Sequence, residues 1–178
     1  MNQIKISSVS ITVFFITISF LLTYCTDEIP KSDLVLKNNL LYKIDSDVPF
    51  TGHEKAKIND NIIEYDVKDG YKHGKFKLYD LDGNILMDGQ IDSNRNIGKW
   101  QYFFEDGGLE SEGNFNYDRP DGKWTWYYPD GKIKEEGIYN NGTRIGLWQQ
   151  YTTDGNVYNQ RNYDLEDSSD TKQNVTQQ

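Results

Sequence analysis

The sequence predicts an all-β fold, an elongated antiparallel meander of repeated β-hairpins with a 24-residue period. Three observations carry this. Gly74-Lys75-Phe76 is followed at steps of 24 residues by Gly98-Lys99-Trp100, Gly122-Lys123-Trp124 and Gly146-Leu147-Trp148. An Asp-Gly pair recurs in phase with it, at Asp82-Gly83, Asp106-Gly107, Asp130-Gly131 and Asp154-Gly155. Between these marks the large side chains alternate with polar ones, the period-2 pattern of a strand. Self-similarity at fixed period describes an array of one supersecondary unit, each unit stable against its neighbours.

The elements follow in chain order. Residues 1–24 read as an export signal: Lys5 supplies the positive start, and Val9 to Tyr24 is an uncharged, largely apolar run. The run is shorter than the ~20 residues of a membrane-spanning helix. The single cysteine, Cys25, closes it. This resembles a bacterial lipoprotein signal, in which lipid is attached to the cysteine, with Tyr24 standing where that signal carries a small residue. One cysteine also excludes an intramolecular disulfide. Residues 25–38 read as a polar tether, residues 39–164 as the repeat domain, and residues 165–178 as a disordered acidic and polar tail, too poor in apolar side chains to order itself.

Within each unit the Asp-Gly pair predicts a two-residue type I′ hairpin turn, which needs positive φ at both positions. Pairing then follows: Phe76 opposes Gly89, Trp100 opposes Gly113 and Trp124 opposes Gly137, each ring lying over the glycine across from it. Trp100, Tyr102, Phe104, Leu109 and Phe115 share one face with Trp124, Trp126, Tyr128, Ile133 and Tyr139, and this face reads as the packed core. The opposite face is polar, with Gln101 beside Glu112, Thr125 beside Glu136 and Lys77 beside Asp88. One aromatic column crosses it: Tyr79, Phe103, Tyr127 and Tyr151. These rings are candidate contacts for a partner, or lateral stiffening of the sheet. Polar loops of about six residues, 92–97, 116–121 and 140–145, are expected to join the hairpins and to carry Arg95, Arg119 and Arg144 as further candidate contacts.

Read together, the units give Gly-Lys-Trp-x-x-Tyr-x-x-Asp-Gly-x-Ile/Leu-x-x-Glu-Gly-x-Tyr/Phe, and residues 122–139 fit it best. This resembles the bacterial variant of the MORN repeat (membrane occupation and recognition nexus) over about residues 40–164. A degenerate unit runs from Leu41-Tyr42 through Phe50-Thr51-Gly52 to Asp69-Gly70. The last unit departs from the pattern, with Arg161 for the second glycine and Gln160 for the acidic residue, as a capping unit would. Bacterial proteins with these repeats are often named as antitoxins of a YwqK-like toxin–antitoxin family, which implies neutralisation of a partner protein. Fold-level likeness carries no functional residues with it.

Several function classes recede. With a net charge of −9 and a pI near 4.7, no basic face is available for nucleic acid or an anionic membrane surface. Two histidines, His53 and His73, are too few for a metal centre, and no phosphate loop leads into a helix, so no cofactor is expected. The expectation is a non-enzymatic cell-envelope lipoprotein, membrane-anchored through its lipid alone, whose array binds a protein, peptide or glycan. The alternative is an antitoxin or immunity-type protein that blocks one toxin.

Overall fold

A computed structural model describes residues 29–165. The predicted export signal, Cys25 and tail residues 166–178 lie outside the described residues. Two short strands, β1 (Leu34–Lys37) and β2 (Leu40–Lys43), pair around Asn38-Asn39, so part of the stretch read as tether is hydrogen-bonded hairpin. The main sheet follows: β3 (Gly52–Ile58), β4 (Asn61–Lys68), β5 (Tyr71–Tyr79), β6 (Ile85–Asp92), β7 (Arg95–Phe103), β8 (Leu109–Asn116), β9 (Arg119–Tyr127), β10 (Ile133–Asn140), β11 (Thr143–Tyr151) and β12 (Val157–Asn162). A single 3₁₀ turn, Tyr163–Leu165, closes it. The ten strands are ordered as they occur in the chain, every pair antiparallel. The meander is as the sequence predicts.

The turns are distributed differently from the sequence expectation. The Asp-Gly pairs close three-residue loops, not two-residue ones: Phe104 N–H donates to Gly108 O at 2.8 Å, and Gly107 N–H to Phe104 O at 2.9 Å. Only the glycine is left-handed there (Gly107 φ 85°), and Asp106 serves through its carboxylate, which accepts the Gly108 N–H at 2.9 Å. This is a type I turn followed by a left-handed residue. The six-residue loops expected at 92–97, 116–121 and 140–145 are in fact two-residue turns, Ser93-Asn94, Tyr117-Asp118 and Asn141-Gly142, with positive φ at both positions. Those are the I′ geometry. Arg95, Arg119 and Arg144 therefore stand on strands, at the first or second residue of β7, β9 and β11.

These I′ turns stack along one rim. Asn94 N–H donates to Lys72 O, Asp118 N–H to Asn96 O and Gly142 N–H to Pro120 O, at 2.8–3.0 Å. Each turn thereby caps the hairpin before it. At the start of the array the same rim takes up the small hairpin: Leu41 N–H reaches Gly70 O at 2.9 Å, and Leu41 packs with Tyr65 and Val67. Apart from this hairpin and the 3₁₀ turn, close backbone approach among the described residues is between neighbouring strands, while rings bridge alternate strands, as Phe76 of β5 with Trp100 of β7 at 5.3 Å.

The core is a ladder of rings lying on one face. Trp100, Trp124 and Trp148 are each 5 % exposed or less. Phe115 meets Trp124 edge-on at 5.1 Å between centroids, and Tyr139 meets Trp148 at 4.9 Å. Edge-to-face contacts of this kind add about 0.5–1.5 kcal/mol each to the area buried. The predicted register pairs are present, Trp100 with Gly113 and Trp124 with Gly137. The rings, however, cover other glycines: Trp100 lies on Gly89, Trp124 on Gly113 and Trp148 on Gly137. The reason is a bulge. Between the pairs Glu112–Thr125 and Asn114–Asp121, Gly113 alone stands opposite residues 122–124. Gly122, at φ 77°, turns the surplus chain so that the indole folds back across the preceding strand.

Candidate functional site

The two faces of this single sheet offer different chemistry. On the polar face two of the Gly-Lys motif lysines, Lys99 and Lys123, each meet a glutamate that also accepts a tyrosine hydroxyl from the strand after it. Lys99 Nζ sits 2.8 Å from Glu112 Oε2, and Tyr127 O–H donates to Glu112 Oε1 at 3.2 Å. Lys123 Nζ sits 2.8 Å from Glu136 Oε2, with Tyr151 O–H donating to Oε1 at 2.8 Å. Nearer the start, Tyr79 O–H donates to Glu64 at 3.1 Å and Lys55 Nζ lies 3.1 Å away.

The electrostatics follow from these contacts. Hydrogen bonds from Lys99 and Lys123 hold the Glu112 and Glu136 carboxyls below their ordinary range, against the opposing effect of burial. For Glu64 burial pulls upward, and the hydrogen bonds from Lys55 and Tyr79 more than offset it. Burial, then the carboxylate beside it, raises each phenol, Tyr79 to about 12. In the second unit Asp88 and Phe103 replace the glutamate and tyrosine, and Lys77 is 3.7 Å from Asp88.

The candidate residues from the sequence thus separate into groups. Tyr79, Tyr127 and Tyr151 are half-buried, with their hydroxyls committed to glutamates; Phe103, also half-buried, continues the column without a hydroxyl. The arginines do not form one set. Arg95 stacks on the Tyr117 ring at 4.6 Å, and Arg119 flanks the turn at Gly142. Arg144 is one residue out of phase with them, since Thr143 occupies their place. Alternation of the strand puts it on the aromatic face. There its guanidinium lies 3.9 Å from the Trp148 ring centre, 3.2 Å from Glu135 Oε1 and 3.3 Å from the Tyr163 hydroxyl.

The aromatic face reads from sequence as a packed core, yet among the described residues no second sheet or helix covers it beyond the ends. Tyr102, Phe115, Trp126 and Tyr139 remain half-buried. A groove of about 370 Å³ opens there, lined by Tyr102, Glu110, Ser111, Phe115, Pro120, Trp124, Trp126 and Tyr139. It joins a broad apolar wall to few polar groups, the composition of sites that hold organic ligands or partner side chains. Sequence reasoning missed it because alternation identifies a face but not whether a second layer covers it. The available signal was that residues 29–165 hold no further amphipathic segment able to supply that layer. One repeat further on, the corresponding space is smaller, about 130 Å³, and Arg144 forms part of its lining.

The family model of the MORN repeat variant matches three consecutive segments of the chain, residues 97–117, 120–141 and 144–165. They coincide with the hairpins β7–β8, β9–β10 and β11–β12, the part of the array where the ring-on-glycine device is complete. No curated protein matches the chain.

Proposed function

We propose that the chain is a non-enzymatic repeat scaffold that binds a partner macromolecule through its open aromatic face, and that a lipid on Cys25 holds it at the cell envelope. The observation that carries the binding role is the groove over Trp124, an apolar surface of interior character with nothing among the described residues lying on it. The likeness of three units to the MORN repeat variant supports a scaffold, since arrays of this kind present extended surfaces. The anchor rests on the sequence alone, on the apolar run that ends at Cys25.

The test places a photocrosslinking residue in turn at Trp126 on the aromatic face and at Tyr127 on the polar face, in cells. Partner adducts from position 126 and none from 127 are the expected result. Adducts from 127 alone would move the binding surface to the other side of the sheet. Palmitate labelling of the wild type beside Cys25→Ala tests the anchor separately: label and membrane partition are expected for the wild type only.

A further inference from the structure

The last repeat displays an occupied copy of a site that the preceding repeat leaves open. In the last repeat Tyr139 and Tyr163 meet Trp148 edge-on at 4.9 and 6.3 Å, forming a three-ring cradle. One period earlier Phe115 and Tyr139 meet Trp124 edge-on at 5.1 and 6.3 Å. The two cradles agree in geometry and differ in content. The first encloses the Arg144 guanidinium, stacked on the indole and paired with Glu135. The second has Pro120 at the place of Arg144 and Ser111 at the place of Glu135, and its space is about 370 Å³ in place of 130 Å³.

From this we infer that the open groove is a receptor for an arginine side chain presented by a basic segment of the partner, its guanidinium held against Trp124 and Trp126 and paired with Glu110. The inference rests on the binding role proposed above and names the chemistry of that same surface. Arg144 shows the mode of recognition: a flat, weakly hydrated cation accepts an aromatic face and a carboxylate at once. Glu110 supplies the carboxylate one residue before Ser111, at the groove wall, exposed and with no hydrogen bond or ion pair among the described residues. The net charge of −9 favours the approach of a basic segment. Pro120 has no side chain able to fill the groove from within, as Arg144 does in the next repeat.

The experiment titrates the full chain with a short peptide carrying two arginines, and with its citrulline counterpart, following the indole N–H signals of the tryptophans by NMR. Citrulline keeps the shape and removes the charge. The expected result is saturable shifts of Trp124 and Trp126 with the arginine peptide, with affinity at least about tenfold weaker for citrulline. Glu110→Gln, an exposed change, is expected to weaken the arginine peptide severalfold and leave the melt unaltered. The pair Pro120→Arg with Ser111→Glu is expected to fill the groove from within and abolish the shifts. Equal binding of both peptides, or full affinity in Glu110→Gln, overturns the inference. Crosslinking from position 126 combined with no response to arginine peptide would leave the aromatic-face reading standing and remove only the guanidinium.

Discussion

Trp124 lies flat on Gly113, and its indole N–H donates to the carbonyl oxygen of Asn114, the next residue, at 3.0 Å. Trp100 repeats the arrangement with Gly89 and Gln90 at 3.1 Å, and Trp148 with Gly137 and Ile138 at 3.2 Å. One ring thus seals bare backbone, satisfies its own donor and becomes the floor on which the next ring packs.

Gly113→Ala places a methyl group inside the Trp124 ring and must displace it. A loss of about 3 kcal/mol is expected in urea denaturation. Gly107→Ala, with open space around it but φ 85°, is expected to cost about 1 kcal/mol from backbone strain alone. Equal midpoints for the two variants would show that the ring moves aside freely.

The second unit lacks the glutamate–tyrosine clamp seen at Glu64–Tyr79, Glu112–Tyr127 and Glu136–Tyr151, having Asp88 and Phe103. Restoring both, Asp88→Glu with Phe103→Tyr, is expected to add about 1 kcal/mol beyond the sum of the single changes, the value of one hydrogen bond to a charged acceptor. A double-mutant cycle measures this. An additive result would mean that the clamp geometry does not form in that unit.

Acid stability follows from Glu112 and Glu136, whose carboxyls are held below the ordinary 4.5. A depressed folded-state value contributes stability that is present above the unfolded value and lost as pH falls through the folded one. Melting temperature is therefore expected to fall below about pH 4.5. Glu112→Gln should lose about 1 kcal/mol at pH 7, discounted because Lys99 is largely exposed, and should show a flatter acid limb. At the alkaline end the Tyr79 phenol, raised to about 12, contributes stability below its unfolded value that is lost as pH rises through 12.

Arg144→Ala removes the guanidinium from Trp148 and leaves Glu135 with Gln150 as its remaining side-chain hydrogen-bond donor, at 3.1 Å. The expected cost is about 1–2 kcal/mol. Hydrogen exchange should locate it in β11 and β12, with protection of β5–β8 unchanged. Loss of protection across the whole sheet would show that the array unfolds as one unit.

How much of this was legible depended on what each signal encodes. Glycines and aromatics at fixed separation specify strands, faces and the pairing of Trp100 with Gly113. They do not say which neighbouring glycine a ring covers, because that depends on the two surplus residues at Gly122-Lys123 and equivalents. Asp-Gly marked real turns but the wrong class; the I′ positions are occupied by Ser93-Asn94 and even Tyr117-Asp118, where hydrogen bonds to the preceding hairpin override local preference. Arg144 looked like the third member of an arginine column until strand alternation, shifted by one residue, turned it to the other face. The groove was missed because alternation marks a face without saying whether a second layer covers it, and the described residues contain no such layer.

The stacking of one turn on the next makes the length of this protein an independent variable. Each unit adds two strands, about 9.5 Å of width, and makes its extensive contacts with the units beside it. Removing or inserting 24 residues between equivalent positions therefore changes how far the face reaches without changing its chemistry. Copy number acts here as a ruler, set by duplication and not by redesign of any interface.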